Sequence, residues 1–260
     1  MSLNAQQRST ATFAGRHEDL LWLIARRLDG GRGRKILSFG CSEGWECLDI
    51  ADAMPAAQVY GCDVNDKALA AAAERCAGRA TIFKSTLEGL AEHGPFDLIT
   101  AFNVLCRYPE TSGKFDIAKI YPFAEFEDGL VTIDRALMRG GLLALYNSPY
   151  FLEDAQALQG YAPAEDCFIA NNGWTEKHNP DGSRATRVLV NANGRIYTRE
   201  EIFALGKLNA VAGRREETKE WRQHALPYLT WQEWLPDRQR RASLVDVFWR
   251  KPGSSGSPPA

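Results

Sequence analysis

Two glycines, Gly40 and Gly44, stand between an apolar run, Ile36 to Phe39, and a segment that reads as helix. An acid, Asp63, follows 19 residues after Gly44. A tight turn from strand to helix aims backbone N–H groups towards the carboxyl end of the strand. An acid at the end of the next strand can take both hydroxyls of a ribose. The stretch Lys35 to Asp63 therefore reads as a cradle for a cofactor that carries a nucleoside.

The spacing excludes several cofactors. A dinucleotide fingerprint needs G-x-G-x-x-G, and from Gly40 its second and third glycines are Ser42 and Trp45. A Walker A loop fails because no Lys-Ser/Thr pair follows the glycines. An EF-hand starting at Asp63 fails at Lys67 and Ala68. The four histidines, His17, His93, His178 and His224, lack the paired spacing of a zinc site. Cys41, Cys47, Cys62, Cys76, Cys106 and Cys167 form no C-x-x-C pair and read as reduced, mostly buried small residues. No metal is expected.

The turn Gly40-Cys41-Ser42-Glu43-Gly44 with its following acid resembles the first motif of class I S-adenosylmethionine-dependent methyltransferases. Gly40 and Gly44 match, Ser42 replaces the middle glycine, and Ser38 replaces the usual acid. The resemblance spans roughly residues 12–148. It implies that Asp63, with Val64 beside it, binds the ribose and that Ser85 and Thr86 meet the adenine. Phe96 to Ile99 looks like the fourth motif of the family.

The departures are similar to the chemotaxis-receptor glutamate methyltransferases, whose motif runs G-C-S-x-G-x-E. That likeness implies a cofactor contact by Glu46, with Cys41 flanking it. It also pairs Thr12 and Arg16 with a Thr-x-x-x-Arg whose arginine meets the cofactor carboxylate, and Asn103-Val104-Leu105 with an Asn-Val-Leu after the fourth strand. The basic helical domain and receptor-docking β insertion of those enzymes have no evident counterpart, so the likeness implies the cofactor site and not the protein substrate.

Strand and helix patterns alternate through about residue 147, predicting an α/β, Rossmann-like methyltransferase fold. Its central sheet is mostly parallel, with helices on both faces and an antiparallel C-terminal hairpin. Helices are expected over 15–28, with Thr12 as cap, and over 46–53, 67–76, 88–92 and 123–138. Strands are expected over 36–39, 58–62, 80–83, 96–102 and 142–146. Residues 1–11 read as a flexible N-terminus, 12–252 as the methyltransferase domain and 253–260 as a disordered tail. Segments 108–122 and 149–240 shape the acceptor pocket. Within the latter, turn signals at Asn171 and Asn179 suggest paired strands and Thr198 caps a helix to Leu208; after it, residues 242–250 read as one strand. The aromatic stretch Trp221 to Trp234 reads equally as a packed helix or a substrate lid.

The chain has 260 residues, a net charge of −2 and both signs spread along it, which argues against a general nucleic-acid binder. No run approaches the roughly 18 apolar residues of a membrane span. A cytoplasmic enzyme transferring methyl from S-adenosyl-L-methionine to a small-molecule acceptor, with S-adenosyl-L-homocysteine as product, is the expectation. Asn103, Tyr146 and Tyr121 are candidates to line the transfer site. Tyr150, His178 and His224 are other possible bases or substrate contacts. The alternative is a non-catalytic S-adenosylmethionine-binding regulatory or partner protein. A protein carboxyl methyltransferase ranks behind both.

Overall fold

The computed structural model describes residues 3–163, 178–184, 188–192, 195–197, 230–235, 238–244 and 248–253. Five strands run parallel: β1 (Lys35–Phe39), β2 (Gln58–Asp63), β3 (Thr81–Lys84), β4 (Phe96–Phe102) and β5 (Leu137–Tyr146). Their spatial order is β3-β2-β1-β4-β5. The chain winds outward from β1 through β2 to β3, then crosses to β4 and winds the other way. The crevice above the carboxyl ends of β1 and β4 is therefore the switch point where open α/β sheets bind ligands.

Successive residues of a strand point to opposite faces, and β1 shows this plainly. Ile36 packs with α1 (Glu18–Arg27), α2 (Trp45–Ala53) and the end of α3 (Asp66–Arg75) through Leu21, Ile24, Cys47, Ile50 and Cys76. Leu37 and Phe39 pack on the other side with α4 (Leu87–His93) and α5 (Phe123–Ala136) through Leu90, Phe126, Leu130 and Ile133. Burial on both faces explains why β4 reads as a nearly continuous apolar run. This is a Rossmann-like arrangement with helices on both faces.

The differences from expectation have local causes. Helix α1 begins at Glu18 and not at Gly15, and Thr12 does not cap it. The Gly15 N–H donates to Asp49 Oδ2 at 2.8 Å, and its φ of +72° turns the chain out of helix. Strand β5 starts at Leu137 and runs through Gly140-Gly141, which read as a stop; a register irregularity against β4 absorbs the glycines.

Beyond β5 the main sheet gains β11 (Phe248–Arg250), antiparallel to β5, and then β6 (Ala162–Pro163). The last strand of the main sheet is thus paired with segments distant in sequence and not with a hairpin neighbour. Strands β7 (Val188–Ala192), β8 (Arg195–Tyr197), β9 (Thr230–Leu235) and β10 (Arg238–Leu244) form a separate four-stranded antiparallel sheet in the order β10-β9-β7-β8. The single strand expected over 242–250 is therefore divided between two sheets. The expected turn at Asn171, the helix from Thr198 to Leu208 and most of the Trp221 to Trp234 stretch lie outside the described residues. The turn at Asn179 forms, and it pairs with the excursion after β4: Ile117 N–H donates to Gly182 O and Arg184 N–H to Phe115 O.

Candidate functional site

The turn after β1 is held by its own neighbours. Gly40 and Cys41 N–H groups both donate to Cys62 O, at 2.8 and 2.9 Å, and Gly44 N–H donates to Cys41 O. Ser42, at φ +49°, donates its N–H to Asp63 Oδ2 at 2.9 Å. The turn amides expected to be free for a ligand are thus largely spent inside the protein. A phosphate would need those donors, so the cradle suits a cofactor without one. Gly40 has φ +74°, and a Cβ there would stand 2.6 Å from Val104 Cγ2. Gly44 starts α2 with φ +86°, where a Cβ would meet Cys76 Sγ at 2.6 Å. Trp45 lies under the Arg75 guanidinium, 4.3 Å from its ring centre, and serves packing.

Asp63 closes β2. Its Oδ1 accepts from Asn65 N at 2.9 Å while Oδ2 accepts from Ser42 N. Each carboxylate oxygen keeps a further lone pair. The side chain of Asn65 accepts from Lys67 and Ala68 N–H groups and caps α3, so it fixes the chain after the acid.

Glu46 is brought to the sheet by the first turn of α2. Ser38 and Thr100 are register partners on β1 and β4, so their hydroxyls point to the same face. Both donate to Glu46 Oε1, at 2.8 and 2.6 Å. A carboxylate from α2 is thus seated on hydroxyls of β1 and β4. Protein encloses Glu46 except where the cavity touches it. Burial pushes its carboxyl up to about 7, against the two hydroxyls and Arg16, which pull it down.

These groups surround one cavity of about 280 Å³. Residues 3–13 form a strap over it, with Arg16, His17, Gly40, Cys41, Ser42, Glu46, Asp49, Asp63, Val64, Ser85, Asn103 and Val104 among the remaining lining. The strap, read from sequence as a loose end, is tied along its length. Leu3 N–H donates to Ser85 O, Gln7 Nε2 to Cys106 Sγ, and Ser42 Oγ to Thr10 O. Tyr121 donates its hydroxyl to Gln6 Oε1 at 2.6 Å, and buried Arg107 bonds both Ala5 O and Glu125.

Asn103, which lines the cavity, and buried Asn147 follow β4 and β5 with φ of +59° and +66°, uncommon for side-chain-bearing residues. Asn103 Nδ2 lies 2.8 Å from His17 Nε2, and Asn147 Nδ2 donates to Asn103 Oδ1. The His17 ring is tilted against Phe102 at 4.8 Å and edge-on to Tyr146 at 5.2 Å. Burial, with Arg16 beside it, lowers its pKa to about 3 and keeps the imidazole neutral.

Of the residues singled out in sequence, Thr12, Arg16, Gly40, Cys41, Ser42, Glu46, Asp63, Val64, Ser85, Asn103 and Val104 converge on the cavity. Thr86 does not; its Oγ1 accepts from Gly89 N at 3.0 Å and caps α4. Gly44 shapes the turn from behind. Tyr121 is fully buried as an anchor for the strap, Tyr150 donates its hydroxyl to Tyr121 O, and Tyr146 backs His17 without lining the cavity. Buried His178 lies 3.1 Å from Lys114 O, in the paired excursion. His224 lies outside the described residues. Cys106 is buried, which pushes its thiol up, and burial raises Cys62 to about 12, so both are poor nucleophiles. Sequence reasoning missed His17, Asp49 and the strap. His17 meets Asn103 across 86 residues, and no spacing rule signals that contact. Among the described residues no His/Cys/Asp/Glu cluster could hold a metal, and no helix is long and apolar enough to cross a membrane.

Residues 36–121, about a third of the chain, match the family model described as a methyltransferase domain. No curated protein matches the chain. Solved structures similar to it include CalS10, an amino pentose methyltransferase from Micromonospora echinaspora with bound S-adenosylmethionine. It is 21% identical over 52% of each chain, with a TM-score of 0.37. The sugar N-methyltransferase KedS8 from Streptoalloteichus is 20% identical over 55% of this chain and 51% of its own, with a TM-score of 0.38. The StiE O-MT segment is 16% identical over 92% of this chain and 75% of its own, with a TM-score of 0.43. The chain spans about half the length of the first two.

Proposed function

We propose that this protein binds S-adenosyl-L-methionine in the cavity beneath the strap and transfers its methyl group to a small-molecule acceptor. One observation carries the reading: a single cavity sets Asp63, Glu46 and Arg16 around a turn whose amides are already spent. Such a site suits a ligand with a diol, an ammonium and a carboxylate and no phosphate. The methyltransferase-domain match over the same β1–β4 region supports it.

The residues fit that ligand by chemistry. Asp63 has lone pairs left for two ribose hydroxyls, with Val64 and Ser85 beside it for the base. Glu46 offers a carboxylate to the ammonium, and Arg16 offers its guanidinium to the carboxylate. Asn103 and Val104 close the end where the acceptor would be held. S-adenosylmethionine, when bound, supplies an already activated methyl on a sulfonium. The protein then has to orient the acceptor and exclude water, and the strap is placed for the second task.

Calorimetric titration with S-adenosylmethionine tests the reading. Binding to the unmodified protein, weakened at least about 100-fold by Asp63→Ala through loss of charged hydrogen bonds, is the expected outcome. Absence of binding, or undiminished binding to Asp63→Ala, rejects it. Binding without turnover on a broad acceptor panel would favour a regulatory binding protein.

A further inference from the structure

His17 was not required by the cofactor reading, yet it sits in a built polar chain. Nε2 faces Asn103 Nδ2–H, so in the neutral ring the proton resides on Nδ1. Among the described residues Nδ1 has no hydrogen-bond partner, and it is not among the sealed, unpartnered atoms. The ring lines the cavity with Asn103. At the other end of the chain, Asn147 Oδ1 is buried and unpartnered. The two left-handed asparagines at neighbouring strand ends place backbone strain at this point, where functional sites concentrate it.

The direction of this chain can reverse. An amide rotated by half a turn exchanges its donor and acceptor. With both asparagines turned, Asn103 Oδ1 faces His17 and Asn103 Nδ2 faces Asn147 Oδ1. Nε2–H then donates to Asn103, and Nδ1 carries the lone pair on the open edge of the ring. A ring that gains a second proton in this arrangement has Asn103 Oδ1 as its partner.

We infer that His17 is the general base of the transfer, taking a proton at Nδ1 from an acceptor whose nucleophilic atom is an O–H or N–H, with Asn103 and Asn147 as positioning residues. The inference rests on S-adenosylmethionine occupying the cavity. The step balances. The acceptor's oxygen or nitrogen forms a bond to the methyl carbon, the carbon–sulfur bond breaks with its electron pair left on sulfur, and the acceptor's proton passes to His17. One positive charge enters on sulfur and one remains on the imidazole. The site therefore resists protonation of His17 more strongly before transfer than after it.

The charged and titratable groups that share the cavity with the ring are Arg8, Arg16, Cys41, Glu46, Asp49 and Asp63, and Tyr146 of β5 packs edge-on against it. Burial, with Arg16 second to it, holds the free ring neutral. A further positive charge in the cavity acts in the same direction.

Nitrogen-15 NMR of the His17 ring in the intact protein tests this without an acceptor, using S-adenosylmethionine and S-adenosylhomocysteine as probes. The titration midpoint should be at least about one pH unit higher in the homocysteine complex, a tenfold gain in proton affinity. His178, in the distant excursion, should not move. Equal midpoints in two complexes whose binding is confirmed by calorimetry overturn the role of His17 and leave the cofactor reading standing. Absence of binding by either probe removes both.

Discussion

The cradle and the strap enclose the same cavity but are built on different scales. In the cradle, Ser38 meets Glu46 over 8 residues of sequence and Ser42 meets Asp63 over 21. In the strap, Gln7 meets Cys106 over 99 residues and Gln6 meets Tyr121 over 115. The cradle is a strand, turn and helix whose parts are fixed by local backbone geometry. The strap has no regular structure of its own and exists only against the finished sheet. On the proposed reading, the first region would recognise the cofactor and the second would control access to it.

The largest effect should come from Gly40→Ala. A side chain there must adopt φ +74° and displace Val104, which together cost about 3 kcal/mol or more. Thermal denaturation should show that loss, with S-adenosylmethionine binding abolished. A variant of near-normal stability would mean that the turn is less constrained than its geometry implies.

Glu46→Gln separates binding from stability. The folded carboxyl is raised to about 7, so the folded state holds the proton more tightly than the unfolded chain. That contribution is present below the unfolded value near 4.5 and is lost as pH rises through 7. At pH 8 the ionised, buried Glu46 destabilises the empty protein. The variant should then be more stable by about 3 kcal/mol while binding S-adenosylmethionine about 10- to 100-fold more weakly. Denaturant melts at pH 5 and pH 8 read the first effect, and a gain at pH 5 equal to that at pH 8 would contradict it.

Tyr121→Phe probes the strap. It leaves the half-buried Gln6 Oε1 without its donor, a loss of about 1 kcal/mol. Stopped-flow measurement should show faster release of S-adenosylmethionine with a smaller change in equilibrium affinity. An unchanged release rate would separate the strap from cofactor access. Thr86→Ala is expected to do least. It removes the cap of α4 at a cost of about 1 kcal/mol and should leave affinity unchanged, whereas a drop in affinity would restore Thr86 to the adenine site.

The same contrast governs what could be read in the sequence. The alternation of strand and helix, the turn at Gly40 and the position of Asp63 at the end of β2 are legible because each depends on neighbours in the chain. Thr86 is ambiguous in sequence because a loop hydroxyl before a helix serves as cap or ligand with the same local pattern. The start of α1 was misplaced because Asp49, 34 residues away, takes the Gly15 N–H. His17 and the strap are invisible in sequence because their partners come from the turn after β1, the end of β3, the ends of β4 and β5 and the excursion after β4. Only tertiary packing brings those groups together.

The cofactor reading is tested most directly by following S-adenosylmethionine binding calorimetrically at pH 7 in two buffers of different ionisation enthalpy. With Glu46 near half-protonated in the free protein and ionised against the ligand's ammonium, binding should release about half a proton, and Glu46→Gln should release none. Binding without proton release in the unmodified protein would contradict the placement of Glu46 against the cofactor.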